Sequence, residues 1–319
     1  MSMSRFIRRA VIAASLVLTY FAPALAQTPA PPPATAPTAV AAPTCDRACL
    51  KGMVETYLDA LAKRDQSKLP LAKFAKFTEN GAVLYPGEGL WKTATSVTPY
   101  RLYALDPEGG QAAVSAVVME DATPVIFMLR IKVDGATISE METVLCRKGG
   151  TSLFAPDKLV EPPKPFTDVV PAARRNSRGE LIAAANAYFQ AVETEGKPVY
   201  QPAPFAKGAN RIENGIQTTN VSLRGGKPMS ADDQLNAGLF TGTLVTDRRY
   251  PVVDVETGIV LGLVMYRRDP TIVETEVTAR QAARGQLLLA EFFKVTDNKI
   301  QEIRAVMVDR PRTAPTGWN

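Results

Sequence analysis

The 319-residue chain contains no histidine. That absence removes the side chain that most often serves as a general base near neutral pH. It also removes Ser-His-Asp and Cys-His catalytic sets and most zinc and non-haem iron sites. Any acid–base chemistry falls to Asp, Glu, Tyr, Lys, Arg or Cys. Strong charge of one sign is missing as well. The formal charge is +5, and with Arg5, Arg8 and Arg9 in a leader expected to be removed it drops to +2. No Lys/Arg cluster alternates with aromatic residues, so no nucleic-acid partner is expected. Neither a Gly-rich phosphate loop nor a dinucleotide fingerprint occurs, and no metal-ligand spacing stands out, so no cofactor or metal is expected. Beyond one short run near the start, no stretch is apolar enough to cross a bilayer. Hydrophobic residues nevertheless make up 46% of the chain, enough for a sizeable core, and the length suits two domains.

Residues 1–26 read as a secretory signal. Arg5, Arg8 and Arg9 give a basic start, a short apolar run follows, and Ala24-Leu25-Ala26 is a small-x-small cleavage site. Residues 27–44 are almost entirely Pro, Ala, Thr, Gln and Val, the composition of an extended tether. A periplasmic or secreted protein with no membrane span after cleavage is expected. The three cysteines are Cys45, Cys49 and Cys146. An oxidising compartment permits one disulfide and leaves one thiol, and the spacing does not decide which pair forms. A disulfide pinning the start of a helix is favoured over a reactive pair, which would normally show C-x-x-C spacing.

An internal repeat organises the rest. Leu50, Met53, Val54, Tyr57, Leu58 and Leu61 recur at helical spacing, and Leu181, Ile182, Ala185, Tyr188, Phe189 and Val192 do so again. Phe77-Thr-Glu79-Asn80-Gly81 then aligns with Arg211-Ile-Glu213-Asn214-Gly215. Lys132-Val-Asp-Gly-Ala-Thr-Ile138-Ser-Glu140-Met-Glu-Thr-Val144 aligns without a gap with Lys294-Val-Thr-Asp-Asn-Lys-Ile300-Gln-Glu302-Ile-Arg-Ala-Val306, at a constant offset of 162. The early elements are offset by 131 to 134, so the second copy carries about 28 extra residues in its middle. Strand signals occupy 111–119, 125–133, 252–255 and 259–266. The chain divides into a first unit at 45–147, a Pro-rich connector at 148–177, a second unit at 178–311 and a tail at 312–319.

Each unit is expected to be α+β, a helix packed on a strongly bent antiparallel sheet, giving two tandem cones. This order and the closing K-V-x-x-x-x-I-x-E-x-x-x-V pattern resemble the nuclear-transport-factor-2-like, or ketosteroid-isomerase-like, superfamily. Phe77-Thr-Glu-Asn-Gly81, Gly87-Glu-Gly-Leu-Trp91 and Arg248-Arg-Tyr-Pro-Val-Val-Asp254-Val-Glu256 are also similar to an uncharacterised domain of secreted fungal and bacterial proteins. The resemblance covers most of residues 45–311. It implies a pocket between helix and concave sheet face, and proton-transfer chemistry of the kind this superfamily hosts.

Charge and aromatic groups are densest at residues 247–256, which read either as an exposed charged edge or as a binding face. Alternation would put Arg248, Tyr250, Val252 and Asp254 on one face, where a carboxylate and an arginine four residues apart would lie roughly 13 Å apart along the strand. Arg304 is a further candidate partner for Asp254. Glu79 and Glu213 close turns or act as acids. Glu140 and Glu302 face solvent or pocket according to register. Trp91 caps a core or walls a pocket, and Asp232-Asp233 reads as a helix cap or a weak ion site. The expected catalytic set is Asp254, Glu213, Asp233, Tyr250 and Tyr188, with Arg248, Arg249, Arg304, Tyr266 and Trp91 as substrate-binding residues. The expected activity is that of a cofactor-independent lyase or isomerase on a small apolar or aromatic hydroxylated compound. A lignin-derived aromatic diol losing formaldehyde would be one such substrate. A non-catalytic binding module is the alternative, and a homo-oligomer is left open.

Overall fold

The computed structural model describes residues 45–193, 202–222, 225–271, 279, 283 and 285–318. The expected signal and tether lie outside the described residues.

Helix α1 (Arg47–Lys63) buries Leu50, Val54, Tyr57, Leu58 and Leu61, one apolar stripe at helical spacing. Asp46 caps it by accepting the Cys49 N–H at 2.8 Å, and Arg64 ends it in the left-handed region. The Cys45–Cys49 disulfide closes the same first turn. Cys146 is the free, buried thiol, and burial pushes its pKa up to about 12. After α1 come β1 (Leu71–Glu79), β2 (Ala82–Leu84), β3 (Ser96–Val97), β4 (Leu102–Asp106), β5 (Gln111–Glu120), β6 (Thr123–Asp134) and β7 (Thr137–Cys146). They form one sheet in the order β2-β1-β7-β6-β5-β3, with β4 also paired to β5.

A connector carrying the short helix α2 (Lys164–Thr167) leads to α3 (Arg178–Val192), which starts in a Ser177/Glu180 capping box. Then follow β8 (Phe205–Glu213), β9 (Ile216–Gln217), helix α4 (Ala231–Asn236), β10 (Thr243–Asp254), β11 (Ile259–Arg268), β12 (Gln286–Thr296) and β13 (Lys299–Arg310). The second sheet runs β10-β11-β12-β13-β8-β9. Read from the β9 end, it has the strand order of the first sheet. The closing hairpins also share a register shift, between Lys132 and Val133 in β6 and between Lys294 and Val295 in β12.

The sheets are mixed rather than wholly antiparallel. β1 runs parallel to β7, and β8 parallel to β13. In each case the unit's first strand lies beside its last, and the path between them returns the chain in the same direction. The Asn-Gly turns after β1 and β8 hold this junction. Asn80 and Asn214 adopt positive φ. The Asn80 amide exchanges two hydrogen bonds with the Leu145 backbone, and the Asn214 amide does the same with Met307.

Three cores give the layering. α1 covers one face of the first sheet and α3 one face of the second. The remaining faces pack on each other through residues such as Met128 and Val144 on one side and Leu261 and Phe292 on the other. All described residues therefore belong to one compact unit. The tail returns to the first sheet: Trp318 Nε1 donates to Thr78 Oγ1 at 2.8 Å, with Lys76 Nζ 4.2 Å and Arg130 Cζ 4.5 Å from its ring centre. Among the described residues no helix is long and apolar enough to cross a membrane.

Candidate functional site

The face of the second sheet under α3 carries what an apolar core normally excludes. Glu291 lies on β12 between Leu289 and Phe293, which share its face, and it is completely buried. Neither carboxylate oxygen has a hydrogen-bond partner. An ionised carboxylate in that position is costly, so the group takes a proton instead. Burial pushes its pKa up to about 8; nearby Glu213 pushes the same way and Arg211 pulls back.

Arg211 and Glu213 come from β8, two residues apart on one face, with Arg211 Nε 3.5 Å from Glu213 Oε2. The Arg211 guanidinium is held through each of its three nitrogens. Nε donates to Thr218 Oγ1 at 3.2 Å, Nη1 to Tyr188 Oη at 3.3 Å, and Nη2 to Gln234 Oε1. Gln234, on α4, in turn donates to the Thr218 carbonyl. Burial works against the charge on Arg211, but the Glu213 carboxylate and the hydrogen bond to Tyr188 raise its pKa. Tyr266, from β11, has a buried hydroxyl that makes no well-formed hydrogen bond and lies beside that of Tyr188. Burial first, and Glu291 next, raise the pKa of both phenols, so both remain O–H donors. Gly262 stands opposite Glu291 in the ladder, and a Cβ there would lie 2.8 Å from the Phe189 ring. The missing side chain lets that ring, with Phe293, form the apolar floor.

The chemistry available is specific. A neutral carboxylic acid can donate and accept a proton, two phenols donate hydrogen bonds, and a fixed cation stabilises developing negative charge. Among the described residues no group of three or more His, Cys, Asp or Glu is arranged to hold a metal ion.

The first sheet has a different interior at the matching positions. Leu129 occupies the ladder position of Glu291, since it pairs with Thr143 as Glu291 pairs with Ala305. Phe77 occupies that of Arg211. Tyr57 matches Tyr188, but its hydroxyl accepts from Trp91 Nε1 at 3.1 Å inside an apolar core. Trp91 is thus a core residue of the first unit. Glu79 closes a turn by accepting the Leu90 N–H at 2.8 Å.

Of the residues expected from sequence, Glu213, Tyr188 and Tyr266 stand together in the cluster. Tyr250 stands at its border, packed against Phe189 and donating to Asn186 Oδ1 at 2.9 Å. The others are engaged elsewhere. Asp254 is buried between the units, bound to Arg47 at 2.6 and 2.9 Å and accepting the Leu105 N–H at 3.0 Å. Arg248 bonds Asn186 and Glu193 on the α3 side. Arg249 bonds Glu142 of the first sheet. The expected shared face of Arg248, Tyr250 and Asp254 does not form. Register shifts on both sides of Arg249 break the alternation, turning Arg248 and Tyr250 toward α3 and Val252 toward the other sheet. Arg304 pairs with Glu302 at 2.6 Å rather than with Asp254. Asp233 is the exposed partner of Ser230 in the capping box of α4.

Glu291, Arg211 and Gln234 were not singled out from the sequence. The sequence marks the first two only by a lone carboxylate inside the apolar run Leu287-Leu-Leu-Ala-Glu291-Phe-Phe293 and an arginine aligned with the core residue Phe77, and it carries no such mark for Gln234.

Comparison with known proteins adds the following. Residues 174–307 match the family model of a domain of unknown function, DUF8021. No curated protein matches the chain. A proposed polyketide cyclase from Sinorhizobium meliloti is 22% identical, with a TM-score of 0.24, over 31% of this chain and 98% of its own. A proposed ketosteroid isomerase from Kribbella flavida is 16% identical, with a TM-score of 0.26, over 39% of this chain and 90% of its own. A designed protein of the NTF2 fold is 14% identical, with a TM-score of 0.25, over 32% of this chain and 88% of its own.

Proposed function

We propose that the second unit is a cofactor-independent lyase or isomerase acting on a small apolar or aromatic hydroxylated compound, with Glu291 as its acid. The observation that carries this reading is a completely buried carboxyl, bare of hydrogen bonds, beside a charged arginine and two phenols. A structural residue gains nothing from that position. A reacting group gains a proton it can deliver near neutral pH. The two units are read as copies of one NTF2-like element, the first filled with apolar side chains and the second retaining the site.

On a 1,3-diol the step balances with these groups. Glu213 takes the proton of one hydroxyl, the adjacent C–C bond breaks, and formaldehyde leaves. The released electron pair forms a C=C bond, and Glu291 passes its proton to the second hydroxyl, which departs as water. Tyr266 and Arg211 stabilise charge on the oxygens. Export is part of the proposal, and the mature chain should begin at or near Gln27 in the periplasm or medium; an intact Met1 in soluble cytoplasm would contradict it.

The test is a metabolite screen on the purified protein, read by mass spectrometry for binding and turnover, with Glu291→Gln alongside. Compounds converted by the parent and merely bound by the variant identify the acid. Compounds bound equally by both and converted by neither make the unit a binding module.

A further inference from the structure

Lys294 lies outside that cluster. It is on β12, on the face opposite Glu291, and only 3% of it is exposed. Its amine donates to two backbone carbonyls, that of Thr257 and, at 3.2 Å, that of Asp168. The matching residue of the first hairpin, Lys132, is an ordinary surface lysine, partly exposed and 3.8 Å from Glu140. In the second hairpin the ladder partner of Lys294 is Glu302, the counterpart of Glu140, but Glu302 is taken by Arg304. Lys294 therefore has backbone oxygens where its counterpart has a carboxylate. Burial draws its pKa below the usual lysine range, and the carboxylates of Asp168 and Asp254 offset this in part.

The residue also borders open space. A cleft of about 350 Å³ lies between the connector and the end of the closing hairpin, and Lys294 forms part of its lining. Val169, Val170 and Pro171 give it an apolar wall, and Asp168, Thr296 and Gln301 add polar groups. A buried amine held only by backbone carbonyls among the described residues, on a side chain that lines a cleft large enough for a small molecule, is an arrangement in which a lysine can become a nucleophile.

We propose that Lys294 is the nucleophile of a second site, where it condenses with a small aldehyde or ketone bearing a short apolar body. The nitrogen lone pair attacks the carbonyl carbon, a C–N bond forms, and a proton moves from nitrogen to oxygen. The carbinolamine then loses its hydroxyl as water, with the Asp168 carboxylate relaying the remaining N–H proton to it, and a neutral Schiff base remains. No oxidant or reductant is consumed. The apolar wall takes the body of the ligand, and Gln301 and Thr296 take any polar substituent.

The experiment treats the full-length mature protein with benzaldehyde and sodium cyanoborohydride at neutral pH, then maps the reduced adducts by peptide mass spectrometry over time. Lys294 should be modified at least tenfold faster than Lys132, and Lys294→Arg should lose the fast phase with an unchanged circular-dichroism spectrum. Adducts that accumulate in order of surface exposure, with Lys294 last or unmodified, overturn the proposal. The parent protein's map decides this by itself should the variant fail to fold. Asp168→Asn, at an exposed position, should slow the fast phase; an unchanged rate removes Asp168 as the proton relay and overturns that part of the mechanism.

Discussion

Glu291 ties stability to pH in a calculable direction. An ordinary glutamate releases its proton near pH 4.3, whereas burial holds this one to about 8. Between those values the folded state keeps a proton that the unfolded state has lost, so stability falls as pH rises, by about 1.4 kcal/mol per unit. Below that window the residue costs nothing through ionisation, and above it the full cost applies. Glu291→Gln removes the titration. Urea unfolding at intervals from pH 5 to 8.5 should therefore give a flatter profile for the variant, whose advantage over the parent grows with pH. Parallel profiles would remove the raised pKa. Asp254 leads to a different expectation, since its oxygens hold Arg47 and the Leu105 N–H across the seam between units and the Thr257 N–H in its own turn. Asp254→Asn should cost about 2 kcal/mol, less than for a fully buried pair because Arg47 is partly exposed. Ligand binding by the remaining folded protein should not change. Loss of binding at unchanged melting temperature would return Asp254 to the site.

At the scale of elements, the first turn of α1 carries both a capping aspartate and a disulfide. A five-residue loop constrains the unfolded chain little, so Cys45→Ser/Cys49→Ser should cost about 2 kcal/mol or less, measured by thermal melting. Collapse of the fold would mean that the bridge holds more than this turn. How legible each element was in the sequence follows from how local its determinants are. α1, α3 and the closing hairpins could be read because an apolar stripe and a constant offset are local patterns. The faces of β10 could not, because register shifts around Arg249 and a proline at 251 break the alternation on which such a reading depends. The parallel pairs β1–β7 and β8–β13 were equally hidden, being set by contacts between strands far apart in the chain. Part of the site was legible because Glu213 and Tyr188 stand in the sequence patterns that recur between 45–147 and 178–311. Glu291 was missed because its significance depends on which face of β12 the helix covers, and a single carboxylate in an apolar strand does not say so.

As a whole molecule, the protein is two layers of matching strand order pressed together, with different interiors. Val252, Leu261, Leu263, Met265 and Phe292 of the second unit are buried against the first sheet. Arg178–Asp106 and Arg249–Glu142 add ion pairs of 2.7 and 2.5 Å across the seam. The two units should therefore unfold in one cooperative transition, with fluorescence of Trp91, in the first unit's core, and far-ultraviolet circular dichroism coinciding; two separated transitions would show that the seam contributes little. The asymmetry between the interiors bears on function. Leu129 and Phe77 complete an apolar core, while Glu291 and Arg211, at the same ladder positions, place an acid and a cation under α3. The central claim is that this second interior holds a neutral carboxylic acid at physiological pH. Carbon-13 NMR of the side-chain carboxyls, with Glu291 assigned by its loss in Glu291→Gln, tests it most directly. The account predicts a carboxyl titrating near pH 8; titration of Glu291 between pH 4 and 5, as for a solvated glutamate, would contradict it.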